Sequence, residues 1–236
     1  MTRLRVVGLC LVMSLVAVLA LSTPASAMKY VAIRYWPSST NVSLSGGTAF
    51  RAFDTPMFSI SYRQDVGPNW AGSVNFDTGG ESNFAGTWAA ATAGSNTFWN
   101  VNLHRTFQAN NAMASVFVGY GRASGRSTFA GLDQVQTASG PRIGADIALM
   151  TGNFGIMAWA AVGVGVWGSS TQTGLASATG GGSMNEFGAL LSYPVGGWNL
   201  EGGYRVVHWN VPAGGAFSAA NFTTSGATFG VSKIWP

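Results

Sequence analysis

Residues 153–168 read NFGIMAWAAVGVGVWG, an uncharged run that only a few architectures can accommodate. Every second residue, from Phe154 through Ile156, Ala158, Ala160, Val162 and Val164 to Val166, is apolar without a break. The residues between them, Gly155, Met157, Trp159, Ala161, Gly163, Gly165 and Trp167, mix very small and very large side chains. A period of two is the signature of a strand, whose successive side chains point to opposite faces. A helix would need about 20 apolar residues to cross a bilayer, and this run is shorter. Its glycines and β-branched residues also make a poor helix. One uniformly apolar face opposite a small/large face suits the wall of a barrel, with lipid or core outside and a tapering interior.

The same alternation recurs along the chain. Strands are expected over residues 29–36, 56–65, 70–78, 97–107, 112–122, 140–150, 153–168, 184–193, 198–208 and 225–235. Short connections of Gly, Pro and Asn chemistry separate alternate pairs: Val66-Gly67-Pro68-Asn69, Gln108-Ala109-Asn110-Asn111, Thr151-Gly152 and Pro194-Val195-Gly196-Gly197. The other connections, 37–55, 79–96, 123–139, 169–183 and 210–224, read as long polar links rich in Gly, Ser and Thr. Short turns on one side and long loops on the other are the asymmetry of an outer-membrane barrel, with both termini in the periplasm. Ten residues at about 3.3 Å each, tilted about 45°, rise roughly 23 Å, close to the apolar band of such barrels.

The first 27 residues stand apart. Arg3 and Arg5 precede an apolar run, and Ala25-Ser26-Ala27 follows it, the pattern of a cleaved secretory signal. Domain organisation is therefore signal peptide 1–27 and barrel 28–236. The single cysteine, Cys10, lies within the signal, so no disulfide framework is available to the remainder. Removing the two arginines lowers the formal charge from +4 to +2, and no Lys/Arg cluster exists, which excludes a nucleic-acid partner.

On this register most strand charges point inward: Arg34, Arg63, Asp65, Asp77 and His104 on the first four strands, then Arg142, Asp146, Glu186, Glu201 and Arg205. Arg or Lys facing lipid costs about 2–4 kcal/mol at the midplane, so a polar network in the lumen is expected. Aromatics near the strand ends, Tyr35, Trp70, Trp99, Phe107, Tyr120, Tyr193, Trp198 and Trp235, are candidates for the two membrane interfaces.

With its signal, strand alternation and loop asymmetry, the chain from Met28 onward resembles the small outer-membrane β-barrel proteins of diderm bacteria. Phe229, Val231 and Trp235 are similar to the terminal strand signal that the barrel-insertion machinery reads in that class, interrupted by Lys233. The resemblance implies a bacterial outer-membrane location, with outer-membrane lipid and that machinery as partners.

The expectation is thus an all-β protein, a single antiparallel up-and-down transmembrane barrel of ten strands, or of eight if the first hairpin is mispaired. Its function reads as structural or surface-interacting, with a narrow polar lumen filled by side chains. The alternatives are a narrow porin-like channel admitting a small solute or ion, and a membrane-embedded hydrolase. No Gly-x-Ser-x-Gly elbow, His-Glu-x-x-His motif or phosphate-cradling loop is present. His104 and His208 fall on distant strands, no metal-ligand spacing exists, and no cofactor is implied. Enzymatic activity is not expected. A small solute or surface ligand is the remaining partner class.

Overall fold

The computed structural model describes residues 28–44, 50–80, 83–84, 91–129, 132–175, 177–213 and 219–236; the expected signal peptide lies outside them. All regular structure among these residues is β. In chain order the strands are β1 (Lys29–Leu44), β2 (Phe50–Gly67), β3 (Trp70–Gly80), β4 (Asn83–Phe84), β5 (Ala91–Ala109), β6 (Ala112–Phe129) and β7 (Leu132–Thr151). They continue with β8 (Phe154–Gly163), β9 (Trp167–Gln172), β10 (Ala178–Gly181), β11 (Ser183–Val195), β12 (Trp198–Val211) and β13 (Ala220–Trp235).

Ten of these close a ring of antiparallel pairs, β1-β2-β3-β5-β6-β7-β8-β11-β12-β13. The first hairpin is in register, with Ile33 opposite Ile60, and β1 closes on β13 with Ile33 opposite Val231. The barrel therefore has ten strands and not eight. The short turns fall where Gly, Pro and Asn sit, and positive φ angles occur at Asn69, Asn110, Gly152, Gly196 and Gly197. These are the residues that tolerate the left-handed region at least cost.

β1 shows why the faces sort. Ala32, Arg34 and Trp36 are buried in the lumen, while Ile33 and Tyr35 are exposed on the outer wall. A barrel in water would bury those apolar outer residues. Here Val116, Val118, Ile143, Ile147, Leu191 and Leu200 form part of an exposed apolar band around the wall. Such a band is satisfied by hydrocarbon.

Two expectations are corrected. The long polar links are largely strand, because β1, β2, β5, β6, β7 and β13 all extend past the apolar band. Beyond Trp36 the outward residues of β1 become Pro37, Ser39 and Asn41, while Ser38, Thr40 and Val42 stay buried. That portion stands in water, so its outer face carries no apolar signal although the alternation persists. The run 153–168 is also not one strand. β8 ends at Gly163, and Gly165 takes a positive φ of 62°. The backbone gains one residue there against β7, where Arg142 opposes Gly163 but Ser139 opposes Trp167. A one-residue bulge flips every later side chain. Val166 turns inward and Trp167 outward, the reverse of the unbroken alternation. β9 continues β8 along β7, β10 pairs with β9, and β4 pairs with β2.

Candidate functional site

The lumen is divided along its axis. Its half nearer the short turns is polar, and the other half holds an apolar core.

The polar half is built from inward residues of neighbouring and opposite strands, which gather into three charge clusters. Arg34 Nε lies 2.6 Å from Glu201 Oε2 and Nη1 donates to Ser61 Oγ at 3.0 Å. Tyr30 donates to Glu201 Oε1 at 2.9 Å and also meets Arg34. In the second cluster Arg205 makes a two-pronged contact with Asp77, 2.7 and 2.8 Å, which bridges the lumen from β12 to β3. Arg205 also reaches Glu186 at 3.0 Å, which accepts from Arg142 at 3.0 Å and from Trp159 Nε1 at 3.0 Å. Ser59 donates to Asp77. Paired, multiply hydrogen-bonded charges of this kind escape the penalty that an isolated buried ion would carry.

The third cluster joins Arg63, Asp146, His104 and Ser73. Arg63 Nη1 crosses from β2 to Asp146 Oδ1 at 3.1 Å, and Nη2 donates to Ser115 Oγ at 2.8 Å. Asp146 Oδ2 is 3.0 Å from His104 Nδ1, and His104 Nε2 is 2.8 Å from Ser73 Oγ. Phe117 packs on the imidazole at 4.9 Å between ring centroids, and Arg142 lies over its ring at 5.6 Å. Asn102 Nδ2 donates to Ser73 Oγ at 3.2 Å and to Asn100 Oδ1 at 2.8 Å.

Every charged residue expected in the lumen except Asp65 thus falls in one of these clusters. Asp65 lines the mouth at the turn end and joins none of them. His208 is on the other side of the wall, bonded to Thr223 at 2.9 Å, and shares no site with His104. Ser73 falls on an inward face in the sequence, but its partnership with His104 needs the stagger between β3 and β5, where Ser73 opposes Asn102 and Ala71 opposes His104.

The apolar half contains Trp36, Met57, Phe98, Met184, Val207, Trp209 and Phe222. Trp36 and Trp209 are fully buried. Trp36 caps the charge clusters, with the Arg205 guanidinium 4.9 Å from its ring centroid. Trp209 stacks on Phe222, and its ring reaches β6, where a Cβ on Gly125 would sit 3.3 Å from Cζ2. A Cβ on Gly168 of β9 would fall 2.6 Å from Pro212 Cδ and 3.2 Å from Val211 Cα, so β9 lies directly against the end of β12 there. Thr40 knits this level together, bonding Thr55 at 2.9 Å, Thr224 at 2.8 Å and Asn96 at 3.0 Å. The expected polar lumen therefore holds for one half of the barrel, and the other half is filled by apolar side chains. Five of the core residues, Trp36, Met57, Phe98, Met184 and Val207, lie within expected strands, while Trp209 and Phe222 lie outside them.

The interface aromatics fall in two groups. Near the far edge of the band Tyr35 packs on Phe58 at 5.3 Å and Trp99 on Tyr120 at 5.9 Å. Near the turn end lie Trp70, Phe107, Tyr193, Trp198 and Trp235, with Phe154 against Tyr193 at 5.3 Å. Trp99 and Trp235 are half-buried and the other six exposed. Two terminal cations sit on this lower belt: Arg105 over Trp70 at 5.3 Å and Lys233 over Trp198 at 5.2 Å. Lys233 thus breaks the apolar outward row of β13 while covering an aromatic face.

A closed antiparallel barrel with an apolar outer band and an ionic interior defines the class: the fold is that of the small outer-membrane β-barrel proteins. No protein-family model matches the chain. No curated protein matches it either. Among solved structures it is similar to the outer membrane protease OmpT from Escherichia coli, with a TM-score of 0.66 and 11% identity over 91% of this chain and 99% of that one. It is also similar to the translocator domain of the autotransporter NalP from Neisseria meningitidis, TM-score 0.47 and 11% identity, over 91% and 90% of the two chains. Neisserial surface protein A matches with a TM-score of 0.42 and 12% identity, over 87% and 96%. At these identities the likeness is one of fold.

Proposed function

We propose that the protein is a non-conducting barrel of a bacterial outer membrane with a structural or surface-interaction role. The observation that carries this reading is the apolar core spanning the far half of the lumen, from Trp36 through Trp209 to Phe222. Ions do not cross a close-packed aromatic layer without water or polar groups to replace their hydration. The chain enters the membrane from the periplasm, guided by its leader and by the alternation of β13. Short turns then face the periplasm and the tall strand extensions face outward. Partners are outer-membrane lipid, the insertion machinery, and ligands that meet the extended strands and their loops.

Planar-bilayer recording tests this reading. The purified barrel is expected to give no steady single-channel openings at any voltage that leaves the bilayer intact. Reproducible openings of fixed size would establish the channel reading instead.

A further inference from the structure

The polar half of the lumen contains an arrangement that neither the plug nor the ion pairs require. Asp146 holds Arg63 on one oxygen and His104 Nδ1 on the other. An ionised carboxylate can only accept hydrogen bonds, so Nδ1 carries the imidazole proton and Nε2 presents its lone pair. The Ser73 hydroxyl, 2.8 Å from Nε2, must therefore donate to it. This is the proton disposition of an activated serine, with a base in contact and an acid orienting the base.

Two further observations point to a ligand. Asn102, 5% exposed, places Nδ2 3.2 Å from Ser73 Oγ, where the N–H that meets the hydroxyl can turn to an oxyanion formed on the acyl carbon that Oγ attacks. Its Oδ1 has no hydrogen-bond partner among the described residues. Ser73, Asn102, His104 and Asp146 also line one cavity of about 120 Å3. That cavity shares Tyr30, Arg63, Met157 and Leu190 with a second one of about 180 Å3, which extends to Met28, Met113 and Ile234 at the turn end. The far end is blocked by the Trp36 layer. The chamber is blind and opens to the side of the short turns.

We propose that Ser73, His104 and Asp146 form a nucleophilic site that hydrolyses small carboxylic esters entering from the periplasmic mouth. The acyl group is short and apolar, matching the wall of Met113, Met157 and Leu190. Ser73 Oγ attacks the carbonyl carbon while its proton passes to His104 Nε2. The tetrahedral oxyanion accepts from Asn102 Nδ2. It collapses with cleavage of the ester C–O bond, and the leaving alkoxide takes the proton from His104 as the alcohol. Water then gives a proton to Nε2 and attacks the acyl-serine; the acid departs and Ser73 recovers its proton. The net reaction is ester plus water to acid plus alcohol. Asp146 is a positioning residue, and Arg63 holds it. This departs from the expectation of no enzymatic activity. It is independent of the plug, since a blind chamber needs no passage through the barrel.

The test uses the full barrel, folded in detergent, with methanesulfonyl fluoride as a small serine reagent and p-nitrophenyl acetate as substrate. The sulfonyl group is expected to add once per chain with loss of fluoride, and peptide mapping should place it on Ser73. His104→Gln should slow labelling and ester turnover by about 10²-fold or more, while Ser170→Ala, at a buried serine of β9 outside the chamber, should leave both unchanged. The turnover rate should rise with pH along a single ionisation that is lost in His104→Gln. Absence of an adduct on a wild-type barrel shown to be folded would overturn the proposal. So would labelling at another residue, or equal labelling in His104→Gln. A merely structural hydrogen-bond network predicts no adduct at all. The wild-type result stands by itself if a variant does not fold, and no outcome depends on whether the barrel conducts.

Discussion

Trp209 lies flat on Phe222, with ring centroids 4.0 Å apart and planes 8° from parallel. The two residues face each other across β12 and β13, and both point into the lumen. Aromatic pairs of this kind add about 0.5–1.5 kcal/mol beyond the area they bury. Their position above Trp36 makes them the second layer of the plug. Replacing both tryptophans, Trp36→Ala with Trp209→Ala, should open a water path through the barrel. Each truncation is expected to cost about 3–5 kcal/mol of stability. Ion currents in planar bilayers should appear in the double variant and be absent from the parent.

Arg205 is the hub of the second charge cluster, shared between Asp77 and Glu186. Arg205→Met should destabilise the barrel by about 3–5 kcal/mol, because Asp77 is left buried with a serine as its partner. Adding Asp77→Asn removes the orphaned charge and should restore much of the loss. Guanidinium unfolding followed by tryptophan fluorescence checks the order parent, double variant, single variant.

Gly144 lies opposite Phe117, and a Cβ there would sit 2.3 Å from Phe117 Cζ and 2.4 Å from the Ala160 carbonyl oxygen. Only glycine lets the Phe117 ring lie beside His104. Gly144→Ala should cost about 1–3 kcal/mol by overpacking. Phe117→Leu in the same chain should return only part of it, since the carbonyl contact remains. The denaturation midpoints of the two variants provide the comparison.

Asp133, at the far end of the β6–β7 hairpin, accepts from Thr128 and pairs with Arg126, and these contacts hold its carboxyl below the usual carboxylate range. A carboxylate whose pKa falls on folding stabilises the fold above its unfolded value of about 3.9 and loses that contribution as pH drops through its folded value. Hydrogen exchange in this hairpin should therefore show extra opening as pH falls below about 4, after correction for intrinsic exchange rates. Asp133→Asn should remove that pH dependence and leave the other hairpins unchanged.

Much of the architecture was legible because the side-chain period is two and the turns carry diagnostic residues. Asn110 and Gly196, for example, mark turns that need positive φ. The nine inward charges, with His104, were identifiable because a lipid-facing charge is so costly. Four things were not legible. The strand extensions lose their outer apolar face in water, so Thr40 and Val42 looked like loop. Trp209 and Phe222 of the apolar core sit on those extensions, and inward Trp36, Met57 and Phe98 at the strand ends carry no sign of meeting one another across the lumen. The pairing of Ser73 with His104 depends on inter-strand stagger, which a period cannot report. The bulge at Gly165 also reversed the faces of Val166 and Trp167, because one inserted residue inverts a period-two pattern.

The most direct measurement is a cysteine scan along β6 with nitroxide labels, from position 114 to 121, in reconstituted bilayers. Cys10 is the chain's one native cysteine. Labels at 114, 116, 118 and 120 should collide readily with oxygen, which concentrates in hydrocarbon, and hardly with a water-soluble nickel chelate. Labels at 115, 117, 119 and 121 should be immobile and shielded from both. Loss of this two-residue rhythm, or nickel access at position 118, would contradict a barrel whose wall stands in lipid.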